Sequence, residues 1–145
     1  MTFHLRDHTA DVAVEAHADT LSGVFAAVAD GLTAAMCDDL PPHSDADDPV
    51  TVTVEAESRE ALLFDYLDQL IYERDVRNVL PASHGARVSS GSDAASVEGR
   101  WRVDGTARGI PLDRVDAREV KAVTYSEMRL EPADEGWEAY VVFDV

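Results

Sequence analysis

The residues of this chain that are best suited to chemistry are acidic and lie near its two ends. Residues 140–143 are apolar on both faces, which predicts a strand inside a sheet, and Asp144 and Val145 follow them directly. A carboxylate in such a strand is costly unless it is paired, hydrogen-bonded or bound to a cation. The α-carboxylate of Val145 is expected beside the Asp144 side chain, and a divalent metal ion is the simplest source of the positive charge that both need.

Asp11 is a matching acidic group in the N-terminal part of the chain. Residues 11–18 alternate as a strand does, with valines and alanine on one face and Asp11 on the other. If this strand pairs with the last one, Asp11, Asp144 and Val145 (the carboxylate cluster) offer the oxygen ligands that Ca²⁺ and Mg²⁺ prefer. An alternative stays open, in which Asp11 caps a turn and Asp144 is solvated at a fraying terminus.

Composition predicts a folded protein with an unusual surface. The 145 residues carry 29 acidic and 12 basic side chains, a net charge of −17, and Lys121 is the only lysine. Excess aspartate with little lysine resembles the proteins of salt-accumulating halophiles. The same charge argues against direct binding of nucleic acid, because a phosphate backbone needs a basic patch. With no long apolar run and no secretory leader, one cytoplasmic domain over residues 1–145 is expected.

The order of elements predicts an α+β domain in which two helices pack on a mostly antiparallel sheet as two layers. Helices are expected after the capping residues Thr20 and Ser58, with core-facing stripes that include Tyr66 and, by helical spacing, Tyr72. Residues 37–49 read as an acidic surface loop, which contains a structural rather than catalytic Cys37. Strands are predicted at 11–18, 50–56, 76–80 (ended by Pro81), 97–104, 120–130 and 140–143, the last two as a hairpin, with loops at 83–96 and 105–117.

Four segments in this order resemble the archease family over nearly the whole chain. They are DHTADV at 7–12, the helix at 21–36 with its acidic exit at 37–39, LLFDYLDQLIY at 62–72, and EVKAVTY at 119–125 with the terminal VFDV at 142–145. The resemblance implies a protein cofactor, without chemistry of its own, of the GTP-dependent RNA ligase in tRNA splicing. Such a cofactor promotes guanylylation of the ligase and its repeated turnover, and it contacts tRNA halves only indirectly.

The resemblance also implies a metal site and its ligands. Family members hold a divalent ion, described as calcium, and the matching residues here are Asp11, Asp144 and Val145; Mg²⁺ and Mn²⁺ are alternatives. Lys121 is expected near this site, acting on the nucleotide or metal of the ligase, or else it is an ordinary surface lysine. His8 orients Asp11 or a water, or else it caps and packs at a turn. One departure is Ser126, where many family members carry histidine, so no role of that histidine transfers.

Two other classes of function remain as rivals on sequence alone. An RNA-binding adaptor of tRNA processing is opposed by the net charge of −17. A metal-dependent phosphoester hydrolase, with Asp11 and Asp144 as ligands and His8 as base, lacks a second acid–base group. The expected protein is therefore a monomeric, non-enzymatic partner of the ligase that acts away from membranes.

Overall fold

The computed structural model describes residues 2–7, 11–90 and 100–145. Its elements, in chain order, are β1 (Thr2–Asp7), β2 (Asp11–Ala18), α1 (Leu21–Met36), β3 (Val50–Ala56), α2 (Arg59–Arg77), β4 (Val79–Ser89), β5 (Trp101–Pro111), a 3₁₀ turn (Leu112–Arg114), β6 (Ala122–Ala133) and β7 (Gly136–Asp144). No helix within these ranges is long and apolar enough to cross a membrane.

The strands form two antiparallel sheets, and the helices pack against them around one hydrophobic core. The four-stranded sheet has the order β1-β2-β7-β6, and the three-stranded sheet has the order β3-β5-β4. Helix α1 contacts β2 and β4, and α2 contacts β3 and β6, so each helix touches both sheets. The predicted α+β class with two helices is confirmed, although the described strands form two sheets and not one.

Both helices begin where the sequence predicts. The Thr20 hydroxyl accepts a hydrogen bond from Gly23 N–H (2.9 Å), and the Ser58 hydroxyl accepts one from Ala61 N–H (3.1 Å). Tyr66 is fully buried, as its spacing predicts, but Tyr72 is 53% exposed, so its assignment to the core is wrong. Residues 37–49 form neither helix nor strand, which confirms the loop, and Cys37 is buried at its start.

In the three-stranded sheet the sequence prediction is correct for β3 but fails for β4 and for the later part of β5. Helix α2 continues to Arg77, and β4 passes through Pro81, which can lie in a strand because β4 is at the sheet edge. Strand β5 includes Gly105 and Gly109, although glycine there predicted a loop. These glycines allow close packing instead: a Cβ at Gly105 would lie 2.8 Å from the Tyr66 ring, and one at Gly109 would collide with the Asp48 backbone. The loop predicted at 83–96 is also wrong in its first part, because residues 83–89 belong to β4. Residues 91–99, which hold the rest of that loop and the start of the strand predicted at 97–104, lie outside the described residues.

Strand β1 (Thr2–Asp7) is absent from the sequence prediction. It pairs with β2 from Thr2↔His17 to Asp7↔Val12 and thereby covers the free edge of β2. Its short polar and charged pattern, with exposed Leu5, gives little periodic signal of burial. The strand exists because β2 offers it a row of backbone hydrogen-bonding groups.

A half-buried histidine, His84, joins β4 to α1. The Thr33 hydroxyl lies 2.7 Å from the Pro81 carbonyl, 3.2 Å from that of Ala29 and 2.8 Å from His84 Nε2. We assign the single hydroxyl hydrogen to the Pro81 carbonyl, the shortest of these contacts, which makes His84 Nε2–H the donor to Thr33 and leaves the lone pair on Nδ1. Burial lowers the pKa of His84 to about 4. The neutral ring is thus part of the folded state.

We expect His84 to make the protein sensitive to acid. Between pH 6.5 and about 4 the unfolded state binds a proton at His84 that the folded state does not, so the free energy of unfolding decreases as the pH falls. His84→Gln keeps an N–H donor for Thr33 but cannot titrate. Urea unfolding from pH 7 to pH 4 should show a loss smaller by up to about 3 kcal/mol in H84Q than in the wild type.

His4→Gln, at an exposed histidine of β1, is the control and should keep the wild-type pH profile. Burial raises the pKa of Asp30, whose carboxylate accepts a hydrogen bond from the backbone N–H of His84. Asp30 therefore changes the pH dependence of stability in the opposite direction, and it does so in both proteins. Parallel pH profiles for the wild type and H84Q would show that His84 is not held neutral by the fold.

Candidate functional site

The acidic residues predicted as a cluster meet at one end of the four-stranded sheet. Strands β2 and β7 are antiparallel neighbours, and their register places Asp11 opposite Asp144. Directly opposed residues share a sheet face, with Cβ atoms about 5 Å apart. The expectation that these two strands pair is confirmed, and the Asp11–Asp144 pair is the result.

Alternation in β7 decides which way Asp144 points. Ala139, Val141 and Phe143 are buried in the common core, so Asp144 lies on the opposite face, away from the helices. Asp11 lies on the same face through its pairing, and Val14 of β2 packs under α1. The carboxylate cluster is therefore at the rim of the outer face of this sheet.

Asp144 is exposed, which corrects the expectation that its carboxylate is buried. Phe143 and Val141 are completely buried, but the β7 ladder ends at Asp144, where the side chain reaches water at the sheet end. Val145 is 49% exposed. Desolvation of Asp144 is consequently no reason for a cation here. The reason that remains is the close approach of like charges.

The register at this rim brings two like charges close together. Two carboxylates directly opposite each other on antiparallel strands repel, and Val145 follows one of them in the chain. Asp11 is half-buried, and one of its carboxylate oxygens is shielded from solvent. These oxygen donors fit a hard divalent cation, with water completing its coordination. Among residues 2–5, 11–90 and 100–145, no three His, Cys, Asp or Glu side chains converge into a metal site.

Lys121 is brought to the same end of the sheet. Its backbone N–H donates to the Asp144 carbonyl (2.9 Å), and the next residue, Ala122, pairs with Asp144. The Lys121 side chain is exposed. The first residue of β2, the last of β7 and the residue before β6 thus lie side by side, which brings the Lys121 backbone to the carboxylate cluster.

Arg118 fixes the segment that leads into Lys121. Its backbone N–H donates to the Met36 carbonyl (2.6 Å), and its guanidinium donates to the carbonyls of Ala34 and Ala35 and to Asp38. The guanidinium also lowers the pKa of Asp38 through that hydrogen bond. Because α1 has no basic residue in its last turn, Arg118 supplies the positive charge that its C-terminus favours.

Two sequence expectations have different outcomes here. His8 lies outside the described residues, so its proposed role in orienting Asp11 stays a prediction. Ser126, the departure from the family pattern, is exposed where the register of β6 against β7 shifts between Thr124 and Arg129. It therefore lies on the strand that begins beside the carboxylate cluster.

Sequence reasoning missed an aromatic pair that joins the same strand to α2. Tyr125 of β6 stacks on Phe64 of α2, with ring centroids 4.1 Å apart and ring planes 6° from parallel. Tyr125 is 55% exposed. Its place at the end of the EVKAVTY segment was the available signal, but only the packing of α2 on β6 shows which ring it meets.

Known proteins that resemble this chain match it over almost its whole length. Residues 3–145 match the archease protein family (MTH1598/TM1083). The chain is 33% identical to protein archease of Thermococcus gammatolerans over 145 residues, covering 96% of this chain and 95% of that one. It is also 33% identical to protein archease of Methanopyrus kandleri, with 96% of each chain covered.

Two solved structures share the fold. Protein 1598 of Methanobacterium thermoautotrophicum superimposes with a TM-score of 0.80 at 27% identity, covering 99% of this chain and 98% of that one. An archease from Thermotoga maritima, described as a possible chaperone, gives a TM-score of 0.62 at 21% identity, with 98% of each chain covered. The second likeness concerns the fold alone. With a family match that spans residues 3–145, this chain belongs to the archease family.

Proposed function

We propose that this protein is a non-enzymatic activator of the GTP-dependent RNA ligase in tRNA splicing, promoting guanylylation of the ligase and its repeated turnover. The observation that carries the proposal is the Asp11–Asp144 pair, which gathers acidic groups at one exposed sheet end. Membership of the archease family supports a helper role, and the Thermotoga maritima archease is described as a possible chaperone.

The carboxylate cluster holds a divalent cation in this proposal. Asp11, Asp144 and the carboxylate of Val145 are the ligands, with Ca²⁺ as the first candidate and Mg²⁺ or Mn²⁺ as alternatives. A bound divalent ion supplies positive charge that can orient phosphate oxygens. The repulsion between the opposed aspartates supports this assignment, because a cation converts it into attraction. His8 is proposed to orient Asp11 from the preceding segment.

The sheet end docks beside the nucleotide site of the ligase. Asp11 and Asp144 then position positive charge there, or their contacts favour the ligase conformation that accepts the guanylyl group. Lys121 adds a compact ammonium, which suits a phosphate oxygen as a point charge. The ligase itself carries the chemistry in both versions.

The net charge of the chain bears on how it reaches RNA and on the salt concentration in which it works. With a net charge of −17, direct attraction to tRNA halves is not expected, so RNA is reached through the ligase. We further propose that the protein works as a monomer in the cytoplasm of a salt-accumulating cell. Molar KCl is therefore the medium for its assays.

Calcium should stabilise the wild-type protein through the carboxylate cluster. Saturating Ca²⁺ is expected to raise Tm by several degrees relative to chelator, because a ligand at 100 times its Kd adds about 2.7 kcal/mol. Asp144→Asn should abolish this shift. Without metal it should melt at or above the wild-type Tm, because the change removes a like-charge contact. Differential scanning calorimetry at constant KCl measures both effects.

Asp134→Asn removes one carboxylate from the β6–β7 turn and should keep the full calcium response. Mg²⁺ and Mn²⁺ are titrated in the same way. If Ca²⁺, Mg²⁺ and Mn²⁺ all leave the Tm of the wild type unchanged, the metal assignment is wrong.

Repeated turnover of the ligase is the functional prediction. With RNA in excess over ligase, the wild-type protein should convert one round of joining per ligase into many. Asp144→Ala should lower the multiple-turnover rate at least tenfold, and Lys121→Arg should lower it less than Lys121→Ala does. Quenched time courses with GTP in molar KCl give the rates, and guanylylated ligase is measured separately.

Asp134→Asn serves again as the matched control and should stimulate like the wild type. An active ligase whose turnover does not change when the wild-type protein is added would contradict the activator proposal. Direct joining or hydrolysis of RNA by this protein alone would contradict its non-enzymatic role.

A further inference from the structure

The Phe64–Tyr125 pair leaves a large aromatic surface in solvent. The rings stack almost in parallel at 4.1 Å, so Phe64 covers one face of Tyr125. Phe64 is itself packed partly against the core, whereas Tyr125 is 55% exposed. The second face of the Tyr125 ring is therefore held in a fixed orientation and is open to a partner.

The backbone of β6 departs from regular pairing at this position. Register with β7 shifts between Thr124 and Arg129, and Glu127 has φ = 57°, in the left-handed region. Residues 125–127 are all exposed, instead of alternating between two faces. Bulges of this kind re-aim side chains and are common beside functional sites. In β6 the irregular segment contains Tyr125, whose ring packs on α2.

Negative charge without a basic partner borders this ring. Asp65 and Asp68 are exposed on α2, and neither forms a salt bridge within the described ranges, whereas Asp75 and Asp48 pair with arginines of α2. Partial burial and then the charge of Asp68 raise the pKa of Asp65. Partial burial and then the charge of Asp65 raise the pKa of Tyr125. The Tyr125 phenol is therefore close enough to Asp65, and Asp65 to Asp68, for these groups to act on each other.

We propose that the open face of Tyr125, with Asp65 and Asp68, receives an arginine side chain of a protein partner. A guanidinium group is planar, stacks on aromatic rings and donates two parallel hydrogen bonds to a carboxylate, which matches the chemistry of this surface. A phosphate backbone is repelled by the same two aspartates, so a nucleic acid is not the occupant.

The partner is the RNA ligase, and this part of the inference rests on the proposed function. Tyr125 lies four residues after Lys121, about 13 Å along the strand. A standard interface buries about 800 Å² on each partner. Tyr125 lies on the helix side and the carboxylate cluster at the rim of the outer face, so the ligase would contact both by wrapping around the sheet end. The arginine site would then be a second anchor that holds the ligase while the sheet end reaches its nucleotide site.

The first experiment tests the site without the ligase. Peptides Gly-Arg-Gly, Gly-Lys-Gly and Gly-citrulline-Gly are titrated into the wild-type protein while the ring signals of Tyr125 are followed by NMR. The arginine peptide should shift these signals more strongly than the lysine peptide, and uncharged citrulline should have the least effect. Asp65→Asn with Asp68→Asn should reduce the shift. Equal responses to all three peptides, or none, would overturn the proposal.

The second experiment measures binding of the cognate ligase by calorimetry in molar KCl. Tyr125→Ala should weaken binding about tenfold, while Tyr125→Phe should bind like the wild type because stacking needs only the ring. Leu5→Ala and Asp134→Asn, which change an exposed apolar and an exposed acidic residue elsewhere, are the controls. Circular dichroism checks that each variant is folded.

The outcomes separate the two proposals. If the arginine peptide binds at Tyr125 but the wild-type protein does not bind the ligase, the proposed function fails and the arginine site remains. If the ligase binds the wild type and Tyr125→Ala equally, the second anchor is wrong, although the ligase partnership stands. If labelled tRNA halves bind the wild type and lose affinity with Tyr125→Ala, the ring stacks on bases, and the arginine proposal is overturned.

Discussion

The pairing of β2 with β7 is the constraint on which the rest of the structure depends. These two strands form the middle of the four-stranded sheet, and their register places Asp11 against Asp144. The apolar sides of both strands lie in the core, where Val14 and Phe143 are completely buried. A shift by one residue would turn these side chains outward, so burial fixes the register. The same register places the carboxylates of Asp11 and Asp144 opposite each other at the sheet end.

Close packing and hydrogen bonds around these strands fix the backbone at this end of the sheet. Gly31 of α1 lies so close to β2 that an added Cβ would collide with Val14. Arg118 attaches the segment before Lys121 to the carbonyl end of α1, and Lys121 in turn donates to the Asp144 carbonyl. Helix, connecting segment and sheet end therefore form one connected unit, and a preorganised end lowers the entropy cost of docking.

The distribution of arginine decides which aspartates form ion pairs within the described residues. Three arginines pair with the acidic loop at 37–49, through Arg77–Asp48, Arg108–Asp47 and Arg118–Asp38. These pairs attach the loop to α2, β5 and the segment before β6, and they involve three of its five aspartates. Asp65 and Asp68 receive no such partner in the described part of the chain, so their charge stays available beside Tyr125.

The sequence by itself determined the elements with strong local signals: two capped helices, the strands at 11–18 and 50–56, the C-terminal hairpin, and the residue types of the carboxylate cluster. Strand β1, the path of β4 through Pro81, and β5 with its glycines depended on neighbours in space, because edge position and close packing leave no local pattern. The exposure of Asp144 and the Phe64–Tyr125 stack were likewise decided by tertiary structure. Where a strand ends relative to the sheet, and which helix packs over it, are properties of long-range contacts that residue spacing does not record.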